Sequence, residues 1–360
     1  MTKFFRNYQL LLLLSKEQHA IFDEINELSR QLYNACLQRW IDNYKIYRFH
    51  GVKGNLTKEN KSYFDIGKEM TQIHQECPEY NKIPVNILHE IADRFIKTRD
   101  AFYERVRLRN LDPKNKKKVG FPKFKSKSRW KSFGFSQWNG VTFNKGKLSF
   151  KYSGVRQRIR YSYHRELPTD KPKKITLIKK KNKWIVNICY AIEGKILPKN
   201  DKIVGGDLGI SSLLILTDGT EIKNPRFGRE AKSEIRRKSR SFSRKIKGSK
   251  NKSKAKSALA REHNRIANKR KTYNHQLTRK LVNNYGTICL EKLNVKSMIS
   301  QDKYNFQIHD VSWNQITQML SYKAEEAGRN LIFVDPKNTT QDCSGCGRYV
   351  RKEIHERTHQ

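Results

Sequence analysis

The sequence predicts a mixed fold: an α/β unit towards the C-terminus, preceded by helical parts and a small β-barrel. Three observations carry this. Apolar residues recur at helical spacing over long stretches before residue 110, and short alternating strands follow between residues 144 and 192. From Lys202 onward strands and helices alternate.

Each element has its own local signal. Tyr8 to Leu14 reads as a first strand, and Ser15-Lys16-Glu17-Gln18 is a capping box. The helix that it opens carries Ile21, Phe22, Ile25, Leu28, Leu32, Cys36, Trp40 and Tyr44 on one face. Gly51 to Ser62 is polar and reads as a loop. Pro84, favoured in a first helical turn, opens a second long helix with Ile87, Leu88, Ile91, Phe95, Ala101 and Phe102 on its stripe. Asn144-Lys145-Gly146-Lys147 is a hairpin turn. Leu148, Phe150 and Tyr152, then Ile159, Tyr161 and Tyr163, alternate with polar residues. Ile175 to Ile178 and Trp184 to Ile192 complete a run whose spacing suggests the barrel. "KIVGGDLGISSLLILTDGTEI" is strand, tight Gly turn, strand, Asp-Gly turn, strand. Arg226 to Lys280 is helical and basic, 21 Lys or Arg against three Glu, and Gly248-Ser249 divides it into two helices. Thr287 to Leu290 is a strand ending in Glu291, Trp313 to Ala327 is an amphipathic helix stopped by Gly328, and Leu331 to Val334 is a last strand.

Charge narrows the partners. The 360 residues carry a net charge of +42, an excess that repels itself unless a polyanion neutralises it. Nucleic acid is the natural partner. No apolar run is long enough to span a membrane, so a membrane partner is not expected; the expected location is cytoplasmic, bacterial and nucleoid-associated. Two regions are the candidate nucleic-acid contacts. "KNKKKVGFPKFKSKSRWKSFGFSQWNG" interleaves cations with Phe121, Phe124, Trp130, Phe133, Phe135 and Trp138, offering Lys123, Lys125, Lys127, Arg129 and Lys131 to phosphate and Trp130 to stacking. The basic helices offer Arg236, Arg237, Arg240, Arg244, Lys245, Arg265 and Arg270.

Metal ligation is half-written. Cys343 and Cys346 stand at C-x-x-C spacing on a Gly-rich knuckle, and no second cysteine pair follows before Gln360. Structural zinc takes four ligands. His355 and His359 would complete a Cys2His2 set, but at a spacing short for a finger, and the reading favours no stable zinc. Cys36, Cys77, Cys189 and Cys289 sit singly in apolar patterns and read as small buried residues.

Two carboxylates stand out. Asp207 lies in an apolar strand between Gly206 and Leu208, and Glu291 ends another. Either alone reads as structural. Together, in a chain built for nucleic acid, they suggest a site for Mg2+, which takes a few carboxylates plus water and phosphate oxygens. A pair of such ions can activate water and stabilise the leaving oxygen in phosphodiester cleavage, and holding both normally requires a third carboxylate.

The segments "GGDLGI", "ICLEKLNVKSM", "GSKNKSKAKSALAREHNRIANKRKTYNHQLTRKLV" and "FVDPKNTTQDCSGCG" resemble the TnpB family, transposon-associated RNA-guided DNA nucleases related to type V CRISPR effectors. "GFPKFKSKSRWKSFGF" and the first strand and helix are similar to it more loosely. The resemblance implies a first wedge strand at 1–15, an inserted helical recognition domain at 16–110, a wedge β-barrel at 111–200, a RuvC-like domain of RNase H fold at 201–335 and a truncated zinc-ribbon remnant at 336–360. It implies a catalytic triad whose first two members match Asp207 and Glu291; the third lies beyond the second cysteine pair and has no match before Gln360. Asp335 and Asp310 are not promoted in its place, and Gly206 stands where the family usually has an aliphatic residue. The implied partners are a guide RNA and double-stranded target DNA with a short flanking motif; Mg2+ is expected to bind weakly and Zn2+ hardly at all. The expected function is RNA-guided DNA binding without cleavage, repressing transcription by occupancy, as in truncated, nuclease-dead relatives. The alternatives are an active Mg2+-dependent, RNA-guided DNA endonuclease and a decayed transposase-family remnant. Monomer and dimer stay open.

Overall fold

The computed structural model describes residues 3–50, 63–112, 119–136, 140–144, 146–162, 166–295, 298, 305–335, 346 and 348–350. The chain divides into two compact units, Thr2–Glu193 and Gly194–Gln360.

The first unit joins a sheet to helices. Strand β1 (Lys3–Leu13) runs into α1 (Lys16–His50), followed by α2 (Tyr63–Glu76), α3 (Pro78–Asn81) and α4 (Val85–Leu111). The capping box forms: the Gln18 N–H donates to Ser15 Oγ at 3.2 Å, and the Ser15 N–H donates to Gln18 Oε1 at 3.1 Å. Six further strands follow: β2 (Ser132–Phe135), β3 (Thr142–Asn144), β4 (Lys147–Tyr152), β5 (Val155–Tyr161), β6 (Lys174–Lys180) and β7 (Lys183–Glu193). With β1 they make one seven-stranded antiparallel sheet in the order β2-β6-β7-β1-β5-β4-β3. The barrel expected from sequence is thus an open, curled sheet: among the described residues its end strands β2 and β3 do not pair with each other. The curl is visible at Phe22 of α1, whose ring meets Phe133 of β2, Phe150 of β4 and Trp184 of β7 with centroids 5.7, 5.8 and 5.3 Å away. Strands from both halves of the sheet close on one aromatic side chain, so burial of that ring fixes the curvature.

The second unit is the α/β part. Strands β8 (Ile203–Asp207), β9 (Ser212–Leu216) and β10 (Glu221–Lys223) form an antiparallel meander. Helices α5 (Phe227–Glu230), α6 (Lys232–Ser243) and α7 (Lys250–Asn284) follow. Ser249 caps α7, its side chain accepting from the Lys252 N–H. Then come β11 (Thr287–Glu291), α8 (Asn305–Val311), α9 (Trp313–Ala327) and β12 (Asn330–Val334). The sheet order is β10-β9-β8-β11-β12, with β11 parallel to both β8 and β12. Leu277, Leu281, Val282, Ile316 and Leu320 of the helices bury against Val204, Leu214, Ile288 and Leu290 of the strands. Gly206 belongs to this packing. A Cβ there would meet Leu214 Cδ1 at 2.8 Å and Leu290 Cδ2 at 2.9 Å, so neighbouring leucines occupy the room an aliphatic residue would take.

No helix among the described residues is long and apolar enough to cross a membrane.

Candidate nucleic-acid interface and carboxylate pair

Asp207 closes β8 and Glu291 closes β11. The two strands run parallel with Thr287 opposite Ile203 and Leu290 opposite Gly206. The offset is constant at 84 along the paired residues, and one further step in the same register would set Glu291 beside Asp207. Neighbouring strands lie about 4.8 Å apart and in-register residues share a face, so both carboxylates stand together at the C-terminal ends of parallel strands, where open α/β sheets bind ligands. Asp207 is exposed and Glu291 half-buried. Glu291 also pairs with Val334 of β12, and Asp335 directly follows that strand. Two hard oxygen donors side by side suit one divalent cation completed by water and phosphate oxygens. Among the described residues no group of three or more His, Cys, Asp or Glu is placed to hold a metal ion.

Of the predicted zinc ligands only Cys346 is among the described residues. Cys346 is exposed, and Cys343, His355 and His359 lie outside the described residues.

The basic helix α6 and the residues that follow it present a cluster of cations. Arg236, Arg237, Arg240, Arg244 and Lys245 line one cavity of about 600 Å3 with Ser233 and Ser241. Glu234 partly neutralises it: Arg237 at 2.7 Å and Lys238 at 3.0 Å hold its carboxyl down to about 2. Arg265 and Arg270 are differently employed. Arg265 pairs with Glu262 at 2.5 Å, and Lys238 and Arg265 keep that carboxyl below its ordinary range. Arg270 turns towards buried Asp310 at 2.5 Å and reads as a structural ion pair, a correction to its place among nucleic-acid contacts.

The aromatic-basic segment divides in two. Trp130, Phe133 and Phe135 are core residues, not stacking platforms: Trp130 is 6% exposed, against Tyr33 at 5.1 Å, with the Arg94 guanidinium 5.2 Å from its ring. Burial claims them because "RWKSFGF" supplies apolar residues to the inner face of β2 as its cations turn outward. Lys123, Lys127, Arg129 and Lys131 are exposed. Lys125 is strapped to α1 through its backbone, which donates to Asn34 Oδ1 at 2.9 Å and accepts from Arg30 at 3.1 Å. Trp138 lies outside the described residues.

A further charged surface lies on a hairpin of the first unit. In the β4–β5 hairpin Lys147 faces Arg160, Ser149 faces Arg158 and Lys151 faces Arg156, with all five cations exposed. Directly opposed like charges destabilise a sheet, so this ladder is costly until a polyanion lies on it. The alternation K-x-S-x-K and R-x-R-x-R was readable; the register that sets cation against cation was not.

Comparison with known proteins completes the picture. Residues 187–301 match the family model OrfB_IS605, "Probable transposase", and residues 313–360 match "Cas12f1-like, TNB domain". A Streptomyces pristinaespiralis protein named for RNA-guided DNA endonuclease activity is 30% identical over 234 residues, 64% of this chain and 58% of that one. These matches support a likeness to the TnpB family. An Escherichia coli K12 protein named for the same activity is 27% identical, covering 66% of this chain and 62% of its own length. The CRISPR-associated endodeoxyribonuclease Cas12f1 of Sulfoacidibacillus thermotolerans is 32% identical over 47% of this chain and 43% of its own. The chain thus spans less than two thirds of each of these TnpB-type relatives. Its fold is like that of Cas12f1 in a Cas12f1–sgRNA–target DNA complex, with a TM-score of 0.62 at 15% identity over 94% of this chain and 77% of the other.

Proposed function

We propose that this TnpB-like chain uses a guide RNA to find duplex DNA beside a short flanking motif, and that it acts by occupying the target, repressing transcription there, with little or no cutting. The observation that carries the reading is the in-register pair Asp207 and Glu291, which no third metal-ligating side chain joins among the described residues. Two carboxylates can anchor one Mg2+ and so orient a phosphate; a working pair of ions needs more negative charge than they provide. In this reading Asp207 and Glu291 are the first two members of a RuvC-like, RNase H-type site. The arginines of α6, the exposed cations at 123–131 and the β4–β5 ladder grip nucleic-acid backbone, while base pairing reads sequence.

A second reading is an Mg2+-dependent endonuclease. It is favoured by Asp335, which follows β12 at the same end of the parallel strands as the other two carboxylates.

One experiment separates them. The chain is purified with its co-purifying RNA, that RNA is sequenced, and a matched duplex is offered with Mg2+. Target-dependent binding with intact strands supports occupancy. Efficient double-strand cutting by the same preparation selects the nuclease, and absence of a defined RNA removes both.

A further inference from the structure

We propose that the C-terminal half of α7 and Lys323 of α9 form a phosphate-binding pocket for nucleic-acid backbone, a site apart from the arginine face of α6. A cavity of about 660 Å3 is lined by His275, Arg279, Lys280, Asn283 and Asn284 of α7, with Gln276, and by Lys323. Every one of these side chains can donate a hydrogen bond, and none is a carboxylate.

Lys323 makes the pocket unusual. It is only 5% exposed, yet its ammonium meets neutral acceptors alone, the His275 carbonyl at 2.7 Å and Thr278 Oγ1 at 2.6 Å. An ammonium has three N–H groups, and the third finds no acceptor among the described residues. Burying a cation without a counter-charge is costly. Burial and the charge of Arg279 push Lys323 down to about 8. Burial, Lys323 and Lys271 lower His275 as well. A clamp on the His275 carbonyl and the Thr278 hydroxyl of α7 explains these two Lys323 hydrogen bonds. It does not explain why Arg279 and Lys280, both exposed, converge on the same cavity. A phosphodiester does: its two free oxygens accept from the planar guanidinium and the ammonium groups, and its charge relieves the mutual repulsion.

The proposal rests on the reading of the chain as a nucleic-acid binder, and its test separates the two. The full chain and the variant Arg279→Ala/Lys280→Ala are titrated with a labelled single-stranded RNA of mixed sequence and with duplex DNA of the same sequence, across a salt series. Both substitutions are at exposed positions and leave the Lys323 clamp in place. The dependence of log K on log salt is expected to flatten by about two, and affinity to fall roughly tenfold at physiological salt. The arm that changes, RNA or DNA, names the source of the phosphate. In parallel, acetylation of Lys280 and Lys323 is followed by mass spectrometry with and without each probe, and protection by one of them is expected. Unchanged slopes and unchanged acetylation with both probes overturn the pocket. A chain that lacks a defined RNA yet shows the altered slope keeps the pocket and loses the guide. A chain that retains its RNA with an unaltered slope loses the pocket alone.

Discussion

The Gly228 N–H donates to Asp310 Oδ1 at 2.7 Å across 82 residues of sequence. The same carboxylate receives the Arg229 N–H at 3.0 Å and the Arg270 guanidinium at 2.5 Å, so one buried aspartate ties α5 to α7 and α8. A Cβ on Gly228 would lie 2.6 Å from that oxygen and 2.7 Å from Arg270. Gly228→Ala is therefore expected to cost about 1–3 kcal/mol through overpacking. Asp310→Ala, which strands Arg270 and two backbone donors, is expected to cost about 3 kcal/mol or more. Urea unfolding of the two variants beside the parent checks both figures. A neutral Asp310→Ala would show the network to be surface decoration.

The carboxylate pair behaves differently, because it sits at strand ends and supports no core. Asp207→Ala and Glu291→Gln are each expected to change stability by less than about 1 kcal/mol. They are expected to leave target binding without Mg2+ unchanged. Any Mg2+-dependent cutting that the chain performs should fall by several orders of magnitude in either variant. Thermal melting, gel-shift titration and a strand-cleavage assay on the same preparations give the three readings. Loss of binding in step with cutting would assign the pair to the fold rather than to a phosphate.

The contrast between these two sites shows what sequence can and cannot carry. Signals confined to a few neighbouring residues translated directly: the Ser15–Gln18 box caps α1, and Trp313–Ala327 is a helix closed by Gly328 in the left-handed region at φ +65. The acids Asp207 and Glu291 were legible because each stands out at the end of an apolar strand. Their adjacency was not, since it depends on a parallel register between residues 84 apart. Trp130, Phe133 and Phe135 misled because aromatic residues interspersed with cations suit a stacking surface and a half-buried strand equally; only the core against Tyr33 and Phe22 decides between them. Asp310 gave no local sign of its role, as its partner Arg270 is 40 residues away. The helix Tyr63–Glu76 has no comparably sharp start of its own, whereas the short helix Pro78–Asn81 opens on a first-turn proline that the sequence analysis left unused.

The β4–β5 ladder offers a test whose two readouts move in opposite directions. Lys151 faces Arg156 across the hairpin. Replacing Arg156 by Glu converts a repulsive rung into an attractive one and is expected to stabilise the free protein by about 0.2–1 kcal/mol. The same change removes a phosphate contact and adds a negative charge, so nucleic-acid affinity is expected to fall and its salt dependence to weaken by about one or more. Arg158→Glu is the companion, because Arg158 faces neutral Ser149: weaker binding is expected with little gain in stability. Thermal melting and salt-series titration read both. Tighter binding by either variant would place the nucleic acid elsewhere.

Lys323 predicts a pH dependence of known sign. Its folded-state pKa lies below the ordinary lysine value of 10.5, at about 8. Between about pH 8 and 10.5 the unfolded chain therefore binds more protons at this site than the folded chain. Stability contributed here rises with pH across that window, and below it the full cost of the buried ammonium is present. The rise is expected to amount to about 1–2 kcal/mol, less than a full burial would give, because part of the charge is met by hydrogen bonds. Cys36, pushed up to about 11 by burial, and Tyr190, pushed up to about 12, act in the opposite sense from about pH 9 upward. The measurement is accordingly a difference: urea unfolding of the parent and of Lys323→Met at steps from pH 7 to 10. Lys323→Met is expected to be relatively more stable at pH 7, with the difference shrinking as pH rises. Saturating RNA or DNA should remove the pH dependence from the parent if phosphate supplies the missing counter-charge. A difference between the two proteins that stays constant from pH 7 to 10 would show that Lys323 titrates like an exposed lysine.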